Sequence, residues 1–148
     1  MPVSFSNLDD LIPHRDAMVL IDEVVSCDLA ASTLTAKVTI KPQWQENWAA
    51  IEFMAQTAAA LAGAADRAKG WQGPPRPGFL LGTRKLELFI DRFTVGHTYF
   101  ITACNSFFAD GAASFDCKIL DGDKLVAKAT LNAYRPPSSD LSTIIPNP

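Results

Sequence analysis

Apolar and polar residues alternate over Leu34–Ile40, LTAKVTI, so Leu34, Ala36, Val38 and Ile40 share one face and a strand is predicted. Met18–Val25, MVLIDEVV, is rich in β-formers and reads as a strand before it. The pattern then changes. From Trp48 to Arg67, WAAIEFMAQTAAALAGAADR, alanine dominates, and only Glu52, Gln56 and Thr57 interrupt the apolar run between Ala49 and Ala65. Alanine is the best helix former, and apolar residues on every side predict a helix buried all round. Asn47 offers an N-cap, and the helix ends near Gly70. The prolines of WQGPPRPG (71–78) make a loop.

Alternation then returns over Phe79–Ile90, His97–Phe108, Ala112–Leu120 and Leu125–Tyr134. Gly82 marks a bulge or a close backbone approach. Asp110-Gly111 is a hairpin signal, and an unbroken ladder from it sets Cys104 opposite Cys117. A Leu120-Asp121-Gly122 loop with left-handed Gly122 would bring Ala127, Ala129 and Leu131 to the face of Phe115, Cys117 and Ile119. Residues 6–11 read as a short turn in which Ser6 and Asp9 resemble a capping box. The proline-rich tail, 136–148, is expected to be poorly ordered. About six strands and one helix, two strands before it and four after, predict an α+β domain over 1–135. Its curved antiparallel sheet wraps one long central helix.

Composition narrows the function. The 148 residues are 48% hydrophobic and 20% charged, as expected of one globular domain. A net charge of −3 argues against nucleic-acid binding. The helix is too short and too interrupted to span a membrane, and no signal segment opens the chain, so a cytoplasmic setting is expected. Three cysteines without CxxC spacing read as reduced thiols. No metal-ligand cluster, phosphate loop or nucleophilic triad stands out, so no metal is expected.

Glu52 is the exception in the apolar helix, with Gln56 at i+4 on the same face. A buried carboxyl is costly when ionised, so its pKa rises, which is the state a general acid needs. A first-turn glutamate facing water or the helix dipole is the alternative. His97, after Gly96, reads as an exposed loop-edge residue. Trp44, Trp48 and Trp71 flank the helix and either line an apolar tunnel or pack in the core.

Two segments carry a family resemblance. LIPHRDAMVLIDEV (11–24) is similar to the LPHRxPFLLVDRV segment of 3-hydroxyacyl-[acyl-carrier-protein] dehydratases. IEFMAQTAA (51–59) resembles their (I/L)E(A/L)MAQ helix motif. The GHFPG segment of the common dehydratases, whose histidine is catalytic, has no counterpart in KVTIKPQWQEN (37–47). NWAAIEFMAQ, followed by LLGTRKLEL (80–88), looks more like a divergent branch, the thioester dehydratases of aryl-polyene biosynthetic clusters.

The resemblance implies a hot-dog fold and an obligate dimer. The dimer is of identical chains or of this chain with a related hot-dog protein. It also implies dehydration of 3-hydroxyacyl thioesters on acyl carrier protein, with no cofactor beyond the carrier's phosphopantetheine. Glu52 becomes the acid and Gln56 its orienting partner. The PHR histidine of the common dehydratases is not their catalytic one, so His14 is the candidate base as the better placed of the two histidines, the alternative being a histidine that bonds the backbone beside the pocket; Arg15 and Asp22 are structural ties. N–H groups at Trp48, Ala49 and Ala50 are candidates to hold the thioester oxygen. Gly82 and Arg84 are placed beside the substrate. Arg84 and Lys85, with Arg67, Lys69 and Arg76, either face an acidic carrier or are scattered surface cations. A hot-dog thioesterase and a non-catalytic acyl-binding subunit are the alternatives.

Overall fold

The computed structural model describes residues 8, 11–13, 19–76 and 78–136. Expectations placed on Ser6, Asp9, His14, Arg15 and the tail beyond Pro136 lie outside the described residues. Six strands form one antiparallel sheet: β1 (Glu23–Asp28), β2 (Thr33–Thr39), β3 (Phe79–Leu88), β4 (Thr98–Ala109), β5 (Ala112–Asp121) and β6 (Lys124–Tyr134). Their spatial order is β1-β2-β4-β5-β6-β3. The one α-helix among the described residues, α1 (Ala49–Ala68), follows β2 and packs mainly on β4 and β2. This is the hot-dog arrangement.

The alternating patterns land where their periodicity puts them. Leu34, Ala36, Val38 and Ile40 are all buried, as are Phe115, Cys117, Ile119, Ala127, Ala129 and Leu131. These side chains and Phe53, Met54, Leu61 and Ile101 make one core. Phe53 meets Phe93 edge-on at 5.3 Å, and Phe93 meets Tyr99 at 5.0 Å. Such aromatic contacts add to the area they bury. Bulges interrupt every strand pairing except β2–β4. One lies between Leu80 and Gly82, where the sequence marks it.

Bulges also correct an expected register. Asp110 and Gly111, at φ 52° and 83°, form the expected tight turn. A bulge between Asn105 and Phe107 then shifts the ladder by one residue. Cys117 therefore pairs with Ala103, and Cys104 with Asp116. Successive residues of a strand point to opposite faces, so the two thiols are separated by the sheet. All three cysteines are free. At the next turn Ile119 pairs with Ala127, which keeps the expected faces together but not the expected register, since a 120–122 loop would set Phe115 opposite Ala127. The observed pairing arises from a tight turn with Gly122 at φ 60° plus a bulge, not from a three-residue loop.

Two local expectations are corrected. Asn47 does not cap α1. Its Nδ2 donates to the Ile90 carbonyl at 3.1 Å, and Trp48 takes the cap position with no side-chain bond. Leu20 and Ile21 are not in a strand. Their N–H groups turn to a helix side chain, and β1 begins only at Glu23. Asp22 ties this turn to β2 by accepting from the Thr39 N–H at 2.7 Å.

Candidate active site

Alanine at half of the positions of α1 allows close approach by neighbouring segments. Gly63 shows how close. A Cβ there would stand 2.1 Å from the Leu11 carbonyl oxygen, so only glycine lets Leu11 and Ile12 pack on this face. Two turns back on the same helical face, Gln56 is fully buried, with 0% exposure. Its Oε1 accepts from Leu20 N at 2.9 Å and Ile21 N at 3.4 Å. Those backbone donors decide which end of the amide is oxygen. The other end, Nε2, must therefore donate, and it does so to Glu52 Oε1 at 3.1 Å. The N-terminal chain is thus held on α1 at Gly63 and Gln56. Gln56 passes that order on to the Glu52 carboxyl.

Glu52 lies where the covered face ends and a cavity begins. The cavity has a volume of about 620 Å³, within the usual range for a ligand site. Ala55, Ala59 and Ala62, at helical spacing from Glu52, make one wall, and Pro13 also lines the cavity. Ala113, Phe115, Leu131 and Ala133 of β5 and β6 face them. The helix therefore is not packed all round as its composition predicts. α1 is pressed on β2 and β4 and parts from β6 and β3, and the stripe facing that gap lines a space. An acidic group at one end of an apolar slot suits acid–base work on a chain threaded along it.

The other sequence-derived positions are not all brought here. Ala49 and Ala50 are buried, and their N–H groups donate to Glu46 and Asn47 carbonyls at 3.0 and 3.1 Å. The Ile51 N–H likewise bonds the Trp48 carbonyl at 3.2 Å. The helix start therefore offers no open donor at Ala49 or Ala50, contrary to the expectation for an oxyanion. Trp48 is 56% exposed and meets Trp44 edge-on at 6.3 Å. None of the three tryptophans is in the cavity wall. Gly82 and Arg84 sit on the edge strand β3, opposite Asn132 and Thr130, and neither is in the wall. His97 is exposed, with Nδ1 3.9 Å from Asp121 Oδ2. His14 lies outside the described residues, directly after Pro13.

Of the five cations expected to face a carrier, Lys69 and Arg76 line the cavity, while Arg67 donates to the Trp71 carbonyl at 3.1 Å. Sequence reasoning missed Gly63, whose only signal is being the one glycine in the alanine run. It also missed the ion pair of Asp66 with Arg135, made at 2.7 Å across 69 residues. Among the described residues no group of three or more His, Cys, Asp or Glu could hold a metal ion. No helix among them is long and apolar enough to cross a membrane.

β3 is an edge of the sheet with an apolar surface. Leu80, Leu81 and Leu86 are exposed, Leu81 at 67%. A long apolar edge is a template for pairing with another chain.

The family model described as ApeP-like, ApeP dehydratase, matches residues 6–146. Among solved structures, the dehydratase heterocomplex ApeI:P from Xenorhabdus doucetiae aligns with a TM-score of 0.84 at 23% identity. The match covers 97% of this chain and 99% of that one. The HP0420 homologue from Helicobacter felis aligns at 0.65 with 10% identity, covering 87% and 99% of the two chains. The E. coli PaaI protein from the phenylacetic acid degradation operon aligns at 0.59 with 14% identity, covering 76% and 81%. No curated protein sequence matches the chain.

Proposed function

The chain belongs to the ApeP-like dehydratase family, hot-dog hydro-lyases of aryl-polyene biosynthesis, and from that premise we propose that its substrate is a 3-hydroxyacyl thioester on acyl carrier protein. The product is the trans-2-enoyl thioester. The observation that carries this reading is the Gln56–Glu52 pair at the head of an apolar cavity. Glu52, in its protonated form, gives its proton to the departing C3 hydroxyl, and the C–O bond breaks to release water. His14 takes the C2 proton whose electron pair forms the double bond. It follows Pro13, which shares the cavity with Glu52. Gln56 holds the Glu52 carboxyl with one rotamer facing the slot. One proton enters and one leaves, so no redox or group-carrying cofactor is needed.

The exposed leucines of β3 suit pairing with a second hot-dog chain, identical or related, in a cytoplasmic dimer. The heterocomplex among the structural relatives makes a related partner a concrete choice. Glu52→Gln and His14→Ala should each lower dehydration by about 10²–10⁴-fold while remaining folded and dimeric. Unchanged turnover in either variant removes that residue from the mechanism. Release of the free acid and the bare carrier thiol would make the protein a thioesterase instead.

A further inference from the structure

The cavity stops being apolar at the end remote from Glu52. Asp66 stands fourteen residues further along α1, about 21 Å at the helical rise. Arg135 Nη1 donates to both of its carboxylate oxygens at 2.7 Å, and Arg76 Nη1 is 3.8 Å from one of them. All three residues line the cavity, together with Lys69 and Tyr134. The Asp66 and Arg135 side chains are only 12% and 19% exposed.

These groups are held in place. The Arg135 N–H donates to the Gly111 carbonyl at 2.8 Å, anchoring the residue at the tip of the β4–β5 hairpin. Arg76 lies over the Trp71 ring at 5.5 Å, and Trp71 Nε1 donates to the Pro74 carbonyl at 2.8 Å. Nη1 is the only side-chain donor of Arg135 with a partner among the described residues; Nε and Nη2 have none there. One carboxylate is shared by two guanidinium groups, and Lys69 lines the same cavity, so positive charge is in excess. A methyl group seated here would strip water from those donors and return no hydrogen bond. An oxygen would satisfy them with charge-assisted bonds.

We propose that this end of the cavity, about 21 Å along α1 from Glu52, is a polar subsite for a hydrogen-bond-accepting oxygen group. It deepens, and rests on, the reading of the substrate as a carrier-bound acyl chain. Two parts of such a substrate have this chemistry. One is a hydroxyl or carboxylate at the far end of the acyl chain. The other is the phosphate of the phosphopantetheine arm, if the arm enters from this end.

Calorimetric titration of the full chain with two ligand pairs tests the subsite and separates the sources. The first pair is the N-acetylcysteamine thioesters of a saturated acid with and without a terminal hydroxyl, equal in length. The second is phosphopantetheine and pantetheine. The oxygenated member of one pair should bind about tenfold more tightly, and Arg135→Gln should erase that preference. Arg76→Gln, which leaves the Asp66–Arg135 bond in place, should weaken it in the same pair and covers the case in which the first variant fails to fold. Equal binding within both pairs, or a preference that survives both variants, overturns the proposal. Neither saturated thioester can be dehydrated, so the result is independent of turnover. Discrimination without dehydration of a 3-hydroxyacyl carrier would leave the subsite standing and remove the proposed reaction. Dehydration without discrimination would do the reverse.

Discussion

On one side of α1, Phe53, Met54, Ala60 and Ala64 are sealed in the core; on the other, Ala55, Ala59 and Ala62 face a cavity. Hydrophobicity does not distinguish the two sides. Size does, since Phe53 and Met54 project to the sealed side and the open side, apart from Leu61, is a stripe of alanine between two carboxylates, Glu52 and Asp66. The sealed side supplies stability and the open side supplies shape. Gly63 and Gln56 lie at the boundary, where the N-terminal segment is clamped.

The contrast can be broken at several points. Phe53→Ala on the sealed side should cost about 3–5 kcal/mol, read from the midpoint of denaturant unfolding. Gly63→Ala sharpens the boundary. In an open helix that change stabilises by about 1 kcal/mol, but here the new Cβ meets the Leu11 backbone. A net loss of about 1–3 kcal/mol is expected, and a gain would show that the N-terminal segment is not clamped. Ala59→Phe on the open side should leave stability within about 1 kcal/mol of the parent while shortening the acyl chains accepted in a competition assay. A stability loss as large as that of Phe53→Ala would mean the cavity closes in solution.

The smallest effect is chemical. Burial, with lesser help from Asp116 and Cys104, pushes the Cys117 thiol up to about 12. It stays protonated and unreactive at mildly alkaline pH. Cys104, on the other face of β4, should alkylate first in a mass-resolved labelling series. Equal labelling of the two would contradict the shifted register.

Much of this was legible in the sequence because periodicity is a local signal. The strand faces of β2, β5 and β6, the left-handed Gly122 and the bulge at Gly82 follow from it. What was not legible depends on partners distant in the chain. A bulge at Asn105–Phe107 leaves no mark in composition, and without it the ladder sets Cys104 opposite Cys117. Asn47 has the chemistry of an N-cap, but Ile90 offers its amide a carbonyl from outside the helix. The N–H groups of Ala49 and Ala50 looked open because a helix start leaves them so; the preceding turn closes on them. Within the site, the Glu52–Gln56 pair was visible as an i+4 spacing. Its anchor in the Leu20–Ile21 backbone, and the Asp66–Arg135 bond, needed the fold.

The central claim is that the open face of α1 dehydrates a carrier-bound 3-hydroxyacyl chain. Mass spectrometry of a 3-hydroxyacyl-acyl carrier protein incubated with the purified protein tests it most directly. Loss of one water with the thioester intact is the predicted result. A carrier returned unchanged, or stripped to its bare thiol, would contradict it.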